Sequence, residues 1–193
     1  MDVLESYVRF IQEVEGLKST LRTAWTASGR QESTAEHSWR LALMAGLFLH
    51  EFPALDGHKV LVMCLIHDLA ELDVGDISAA LRTDEKSKHE AERRALERIV
   101  RPLPEPLKRE IRELWQQYND NATGEAKLVK ALDKAETILQ HNQGRNPEDF
   151  DYAFNLEYGI QYFKGPVLKE LRRMIDEDTR VRVGEFKGQE DQG

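Results

Sequence analysis

The sequence predicts an all-α protein, a single helical bundle. Three observations carry that expectation. Apolar residues recur at helical period through most of the chain, and no stretch alternates convincingly as a half-buried strand would. Helix starts and stops (Gly16, an S-x-x-E box at Ser33, Pro53, the Pro102/Pro104 pair) fall between those periodic stretches. The 193 residues suffice for one domain with a real core, and neither a linker nor an internal repeat divides them.

In chain order, Val3, Leu4, Tyr7, Val8, Ile11 and Val14 mark a first helix from about Asp2 to Glu15, which Gly16 ends. Leu17 to Glu32 reads as a long irregular loop holding Arg22, Trp25 and Arg30, and ordered loops of that length are often functional. Ser33-Thr34-Ala35-Glu36 is a capping box opening a helix with His37 near its start and an apolar run, Leu41 to Ala45, ending near Pro53. A third helix starts near Asp56. It is apolar nearly all round from Val60 to Ile66, so it is expected to be the central buried element. Thr83 or Asp84 can cap a charged surface helix, Glu85 to about Val100, with a narrow stripe of Ala91, Ala95, Leu96 and Ile99. Pro104 to Tyr118 is amphipathic, and Glu125 to about Asn142 carries a core face of Leu128, Ala131, Leu132, Ala135, Ile138 and Leu139. Asn146-Pro147 is expected to open a helix through Phe150, Phe154 and Tyr158, and Gly165-Pro166 the last one. The domain is expected to span residues 1–183, with 184–193 a polar, frayed tail.

The net charge of −8, from 27 basic and 35 acidic side chains, disfavours charge-driven binding of duplex nucleic acid. A local basic pocket for a small phosphate ligand remains compatible with it. Cys64 is the only cysteine and sits in an apolar run, as a small core residue does. No apolar run approaches the roughly 20 residues that span a bilayer, and no signal pattern opens the chain. The expectation is a soluble cytoplasmic protein without a membrane partner.

The stretch Met63 to Asp76 carries the chemistry. His67 and Asp68 follow the apolar run, Glu71 recurs on their helical face, and Asp76 lies just past Gly75. Buried carboxylates are costly unless paired or bound to a metal, so this convergence points to a divalent cation. His37, beside an apolar run and next to Glu36, is the second candidate imidazole. His50, His58 and His89 read as surface residues, and His141 as a cation at a helix C-terminus. Asp133 sits mid-helix at the margin of an apolar face, where Lys130 and Lys134 could pair with it. Glu136 lies nearer the middle of that face and needs a partner, an arginine or the site itself.

Read together, these segments resemble the HD-domain phosphohydrolases, an all-α superfamily with an H…HD…D metal signature. The likeness is closer to the 5′-deoxynucleotidase branch that includes the HD domain-containing protein 2 group. L-K-S-T-L-R-T-A-W, E-S-T-A-E-H from Glu32, L-I-H-D-L-A-E-L-D-V-G-D-I and L-V-K-A-L-D-K-A-E carry it, from about Leu17 to Leu139. The resemblance implies a divalent metal (manganese, cobalt or magnesium) on His37, His67, Asp68 and Asp133. It implies catalytic roles for Glu71 and Asp76, which with the Ile77 backbone could hold a second cation. It implies a nucleotide substrate, attack by water on the 5′-phosphate, a phosphate clamp by Arg22, a sugar or base contact by Trp25, and a homodimer. In bacterial members the Arg and Trp are adjacent, whereas Thr23 and Ala24 separate them here, so a core role for Trp25 stays open. Two other readings also stay open: hydrolysis of another phosphate ester or signalling nucleotide, and a non-catalytic metal-stabilised nucleotide-binding scaffold.

Overall fold

The structure, a computed structural model, describes residues 2–75 and 85–190. Helix α1 is Val3–Val14, capped by the Asp2 carboxylate, which accepts from the Leu4 N–H. Its helical period is real, but its apolar stripe faces outward: Leu4 is 67% and Ile11 64% exposed, and Ser6 alone is buried.

A 3₁₀ turn, Glu15–Lys18, leads into strand β1 (Leu21–Trp25) and its antiparallel partner β2 (Gln31–Ser33), with Leu21 opposite Ser33, Trp25 opposite Gln31 and an irregularity between. This hairpin replaces the expected loop. Arg22 and Ala24 are buried while Leu21 and Thr23 are exposed, so the strand's alternation carries no hydrophobic signal.

Helix α2 (Thr34–Phe48) begins at the expected capping box: Ser33 Oγ accepts from the Glu36 N–H, and the Glu36 carboxylate accepts from the Ser33 N–H. Helix α3 (Gly57–Ile66) is capped by Asp56, which accepts from the His58 and Lys59 N–H groups. It is less buried than its composition suggests: Val60, Met63, Cys64 and Ile66 face inward, but Leu65 is 53% exposed. The helix stops there. His67 to Ala70 form a turn before the short α4 (Glu71–Val74), which Gly75 ends at φ +72°, a backbone setting that favours glycine. The suggested Thr83 and Asp84 caps lie outside the described residues; α5 follows as Glu85–Ile99.

Helices α6 (Glu105–Asp120) and α7 (Gly124–Gln143) complete the core, and α7 packs against α2, α3, α6 and α9. It is α7, not α3, that forms the buried centre: Ala126, Val129, Leu132, Ala135 and Ile138 are fully enclosed. Each large aliphatic so buried contributes about 1.5–3 kcal/mol. The expected helix from Pro147 is instead a run of turns with a short α8 (Phe154–Glu157), because Asn146 Nδ2 donates back to the His141 carbonyl (2.7 Å) and to the Tyr152 hydroxyl (2.9 Å). Helix α9 (Gly165–Glu190) continues beyond Val183. No helix among the described residues is long and apolar enough to cross a membrane.

Candidate metal centre

Helices α2 and α7 and the turn after α3 meet at one buried cluster. His37 lies in the second turn of α2, Asp133 is mid-α7, and His67 and Asp68 lie where α3 gives way to the turn. One ligand atom each from His37, His67 and Asp133 lie within 4.8 Å of one another, and all three residues are buried. Asp68 joins them: its Oδ2 is 3.0 Å from His67 Nε2 and 3.8 Å from His37 Nε2. His37 Nε2 is also 3.4 Å from Asp133 Oδ1.

The orientation of the two rings is fixed from behind. His67 Nδ1 is 2.9 Å from the Cys64 carbonyl, to which it donates, so Nε2 carries the lone pair. His37 Nδ1 hydrogen-bonds Glu136 Oε2, and Arg40 Nε donates to the other Glu136 oxygen at 2.5 Å. That answers what a buried glutamate does on α7: Glu136 takes both an arginine and the site as partners. A carboxylate behind a ligating imidazole sets its tautomer and raises its basicity. Both Nε2 atoms are buried without a hydrogen-bond partner. Two lone pairs facing two carboxylates repel one another unless a cation sits between them. The donor set of two imidazoles and two carboxylates fits a divalent ion and does not choose among first-row metals and magnesium.

The charge balance agrees. Burial alone would raise the Asp68 and Asp133 carboxyls; the imidazoles, and for Asp133 also Lys134, more than reverse it and hold both well below the usual carboxylate range. Burial and the Arg22 charge oppose protonation of His37, yet Glu136 and Asp133 outweigh them and raise it to about 9. Without a metal, the cluster gathers a proton instead. Burial and the two acids push the Tyr118 phenol up, so it stays protonated and donates to Asp133 Oδ2 at 2.5 Å. Lys134 Nζ donates to the same oxygen at 2.9 Å, leaving Oδ1 toward His37.

Of the other sequence candidates, Arg22 is brought to the cluster. Its guanidinium lies 3.5 Å from Asp68 Oδ2 and 3.4 Å from Glu32 Oε2, and donates to Thr137 Oγ1 at 3.1 Å. Glu71 accepts from Thr34 Oγ1 at 2.8 Å. Trp25 is half-buried at the far end of β1, its ring edge-on to Phe150 at 6.2 Å, and its carbonyl accepts from Gln140 Nε2. Any side chain at Gly144 would strike that carbonyl, so the glycine lets the strand end close on α7. Asp76 and Ile77 lie outside the described residues. Arg30 is exposed and paired with Glu36 through both terminal nitrogens. His50 and His58 are exposed as expected. His89 instead stacks on Trp115 (centroids 5.3 Å apart). His141 is not a cation at a helix end: it is buried, Nδ1 lies 2.8 Å from Asn155 Oδ1, and burial lowers its pKa. Glu32, Thr34, Arg40, Tyr118 and Thr137 were not foreseen. Glu32 precedes the capping box and Thr34 lies within it, but a box signals a helix start and says nothing of a site.

Fold and cluster define a class of protein, a helical domain that gathers histidine and aspartate around a divalent cation. The chain belongs to the HD-domain family, whose model matches residues 14–172. It is 34% identical over 187 residues to the 5′-deoxynucleotidase HDDC2 of Xenopus laevis, covering 94% of this chain and 91% of that one. It is 36% identical to the human protein of the same name over 156 residues, covering 76% of each. Among solved structures it resembles a predicted metal-dependent phosphohydrolase from Magnetospirillum magnetotacticum, with a TM-score of 0.76, 32% identity, and coverage of 92% of this chain and 96% of that one.

Proposed function

We propose that this protein is a metal-dependent 5′-deoxynucleotidase, removing the 5′-phosphate from deoxynucleoside monophosphates. The observation that carries the reading is the pair of buried, unpartnered Nε2 atoms facing Asp68 and Asp133, with the Arg22 guanidinium alongside. The names of the HDDC2 relatives support it. His37, His67, Asp68 and Asp133 would hold the cation, which is manganese, cobalt or magnesium. When bound, it supplies charge neutralisation for a phosphoryl oxygen and acidifies water.

The chain's own residues do the rest. Arg22, braced by Glu32 and Thr137, presents a planar fork to the phosphate. Glu71, oriented by Thr34, takes the proton of the attacking water. Asp76 orients that water or protonates the leaving 5′-oxygen, and with Glu71 and the Ile77 backbone is the candidate for a second cation. Trp25 bounds the sugar side. No cysteine or serine nucleophile is required.

A homodimer in the cytoplasm fits the same reading. Trp115 and Tyr118 are core, but Trp39, Leu43 and Leu47 on α2 and Leu61 and Leu65 on α3 are exposed. Gly46 and Leu61 adjoin, which joins the two stripes. Contiguous exposed apolar side chains are what an interface between copies of this chain would cover. Leu43→Glu with Leu47→Glu is expected to yield a monomer by sedimentation equilibrium; an unchanged mass rejects this face.

The test of function is phosphate release from deoxy- and ribonucleoside 5′-monophosphates by metal-stripped protein resupplied with each cation. Release from deoxy substrates, abolished in Asp68→Ala, is expected, with Trp25→Ala relaxing sugar preference. Metal-loaded protein that releases phosphate from no monophosphate would sink the assignment.

A further inference from the structure

We propose that Lys130 binds the substrate's phosphate, as a second cation on the opposite side of Asp133 from Arg22. The inference rests on the nucleotidase reading above. Along α7, Lys130, Asp133 and Thr137 stand at i, i+3 and i+7, one stripe of the helix. Thr137 receives the Arg22 guanidinium and Asp133 faces His37. Lys130 is therefore the next residue of that stripe, one turn before Asp133.

Its Nζ lies 3.8 Å from the centroid of the Tyr118 ring, the residue whose hydroxyl holds Asp133 and whose ring packs T-shaped against His67, centroids 5.0 Å apart. So the ammonium rests on a plate that is itself part of the centre. Neighbouring lysines have acids: Lys134 pairs with Asp133 at 2.9 Å and Lys88 with Glu92 at 3.6 Å. Among the described residues no carboxylate oxygen lies within 4 Å of Lys130 Nζ. A ring face is a poor substitute for water around an ammonium, and a half-buried cation without an acid calls for an anion. Burial and the Lys134 charge lower Lys130 to about 8, against the pull of Asp133, Asp68 and Glu92, so its charged form gains most from an arriving anion. The phosphate monoester, a dianion near neutral pH, is the anion this centre is built to receive.

The test uses metal-loaded full-length Lys130→Met, which keeps length and contact with Tyr118, beside Lys130→Arg. Metal content, binding of inorganic phosphate by calorimetry, and kcat and KM for a deoxynucleoside monophosphate are read separately. In Lys130→Met we expect unchanged metal content, phosphate binding and KM each weakened about tenfold, and kcat within about threefold, as loss of one charge-assisted contact predicts. Lys130→Arg should stay near wild type. Wild-type phosphate affinity and KM in metal-loaded Lys130→Met would overturn the proposal and leave Lys130 as packing on Tyr118. Should that variant fail to load metal, Lys130→Gln is judged by the same two readouts. Lys130-dependent phosphate binding in a wild-type protein that hydrolyses no monophosphate would retire the nucleotidase reading while supporting the anion site.

Discussion

The middle and the C-terminal end of α7 are both buried, and both are polar, yet they do different work. In the middle, Asp133 and Glu136 are tied to His37, Arg40, Tyr118 and Lys134, and the two imidazole Nε2 atoms are left without a hydrogen bond. At the end, His141 pairs with Asn155 and the Thr23 backbone, Asn142 with Thr179 and the Ile175 carbonyl, and Gln140 with the Trp25 carbonyl. Leaving a buried donor or acceptor unmet costs about 1–3 kcal/mol. One end of the helix uses its polar side chains to lock α9, the hairpin and the following turns. Unmet atoms occur in both regions, Asn146 Oδ1 and Asn155 Nδ2 among them near the end, but those in the middle include two imidazole nitrogens that face carboxylates, the donor set of a cation site. Burial of a histidine alone does not separate the two cases; what its nitrogens face does.

Removing a facing nitrogen breaks the comparison most severely. His67→Ala is expected to lose the bound cation and to lower activity by at least about a thousandfold, since no other group at the centre replaces an imidazole donor. Metal content by elemental analysis, measured with turnover, checks it. Full metal occupancy in that variant would mean the lone pairs mark something other than a metal site.

The residue behind His37 comes next. Glu136→Gln keeps the shape but removes the charge that orients the ring and balances Arg40. Metal affinity should fall about 10–100-fold, as when an outer partner of a ligating histidine is changed. A competition titration with a chelating dye reads it. An unchanged affinity would reduce Glu136 to a structural counter-ion for Arg40.

How far such roles were legible in the sequence follows a physical rule. The capping box, His67-Asp68 and the apolar face of α7 were readable because each is local: spacing within one or two turns fixes the neighbours. The four-residue cluster came through resemblance, since Asp133 sits 96 residues from His37 and no periodicity joins them. The hairpin was invisible because its buried residues are Arg22 and Ala24, and a two-stranded ribbon with an inward arginine looks polar. Helix α1 taught the converse: its apolar period found the helix but not its surroundings, because the stripe faces outward. His141 was misread because the aromatic and amide partners that enclose it arrive from Phe150 and Asn155, beyond the end of its own helix.

Changing pH sharpens the contrast without mutation. In metal-free protein His37 is raised to about 9, above an unfolded value of about 6.5. Folded protein therefore holds that proton more tightly than unfolded protein does. The resulting stability is fully present below about pH 6.5 and is lost as pH rises through about 9. Cation binding displaces the same proton, so affinity should climb across that window by at most about tenfold per pH unit. Melting curves of stripped and loaded protein are expected to diverge from pH 6.5 to 9. Parallel curves would exclude His37 as the residue linking proton and metal.

The smallest expected effect lies at the other end of α7. His141→Phe preserves an aromatic ring against Phe150, whose centroid is 4.9 Å away, but leaves Asn155 Oδ1 without its donor. The Thr23 backbone loses its partner as well, so the cost should be about 1–3 kcal/mol for each buried group left unmet. For a chain of this length that is a drop in melting temperature of about 2–4 °C per kcal/mol. Because His141 belongs to neither candidate metal-ligand cluster among the described residues, metal content and kcat of the folded variant should match wild type. Loss of metal in His141→Phe would show that the two regions are coupled along α7, with the C-terminal lock setting the angle at which Asp133 and Glu136 meet His37.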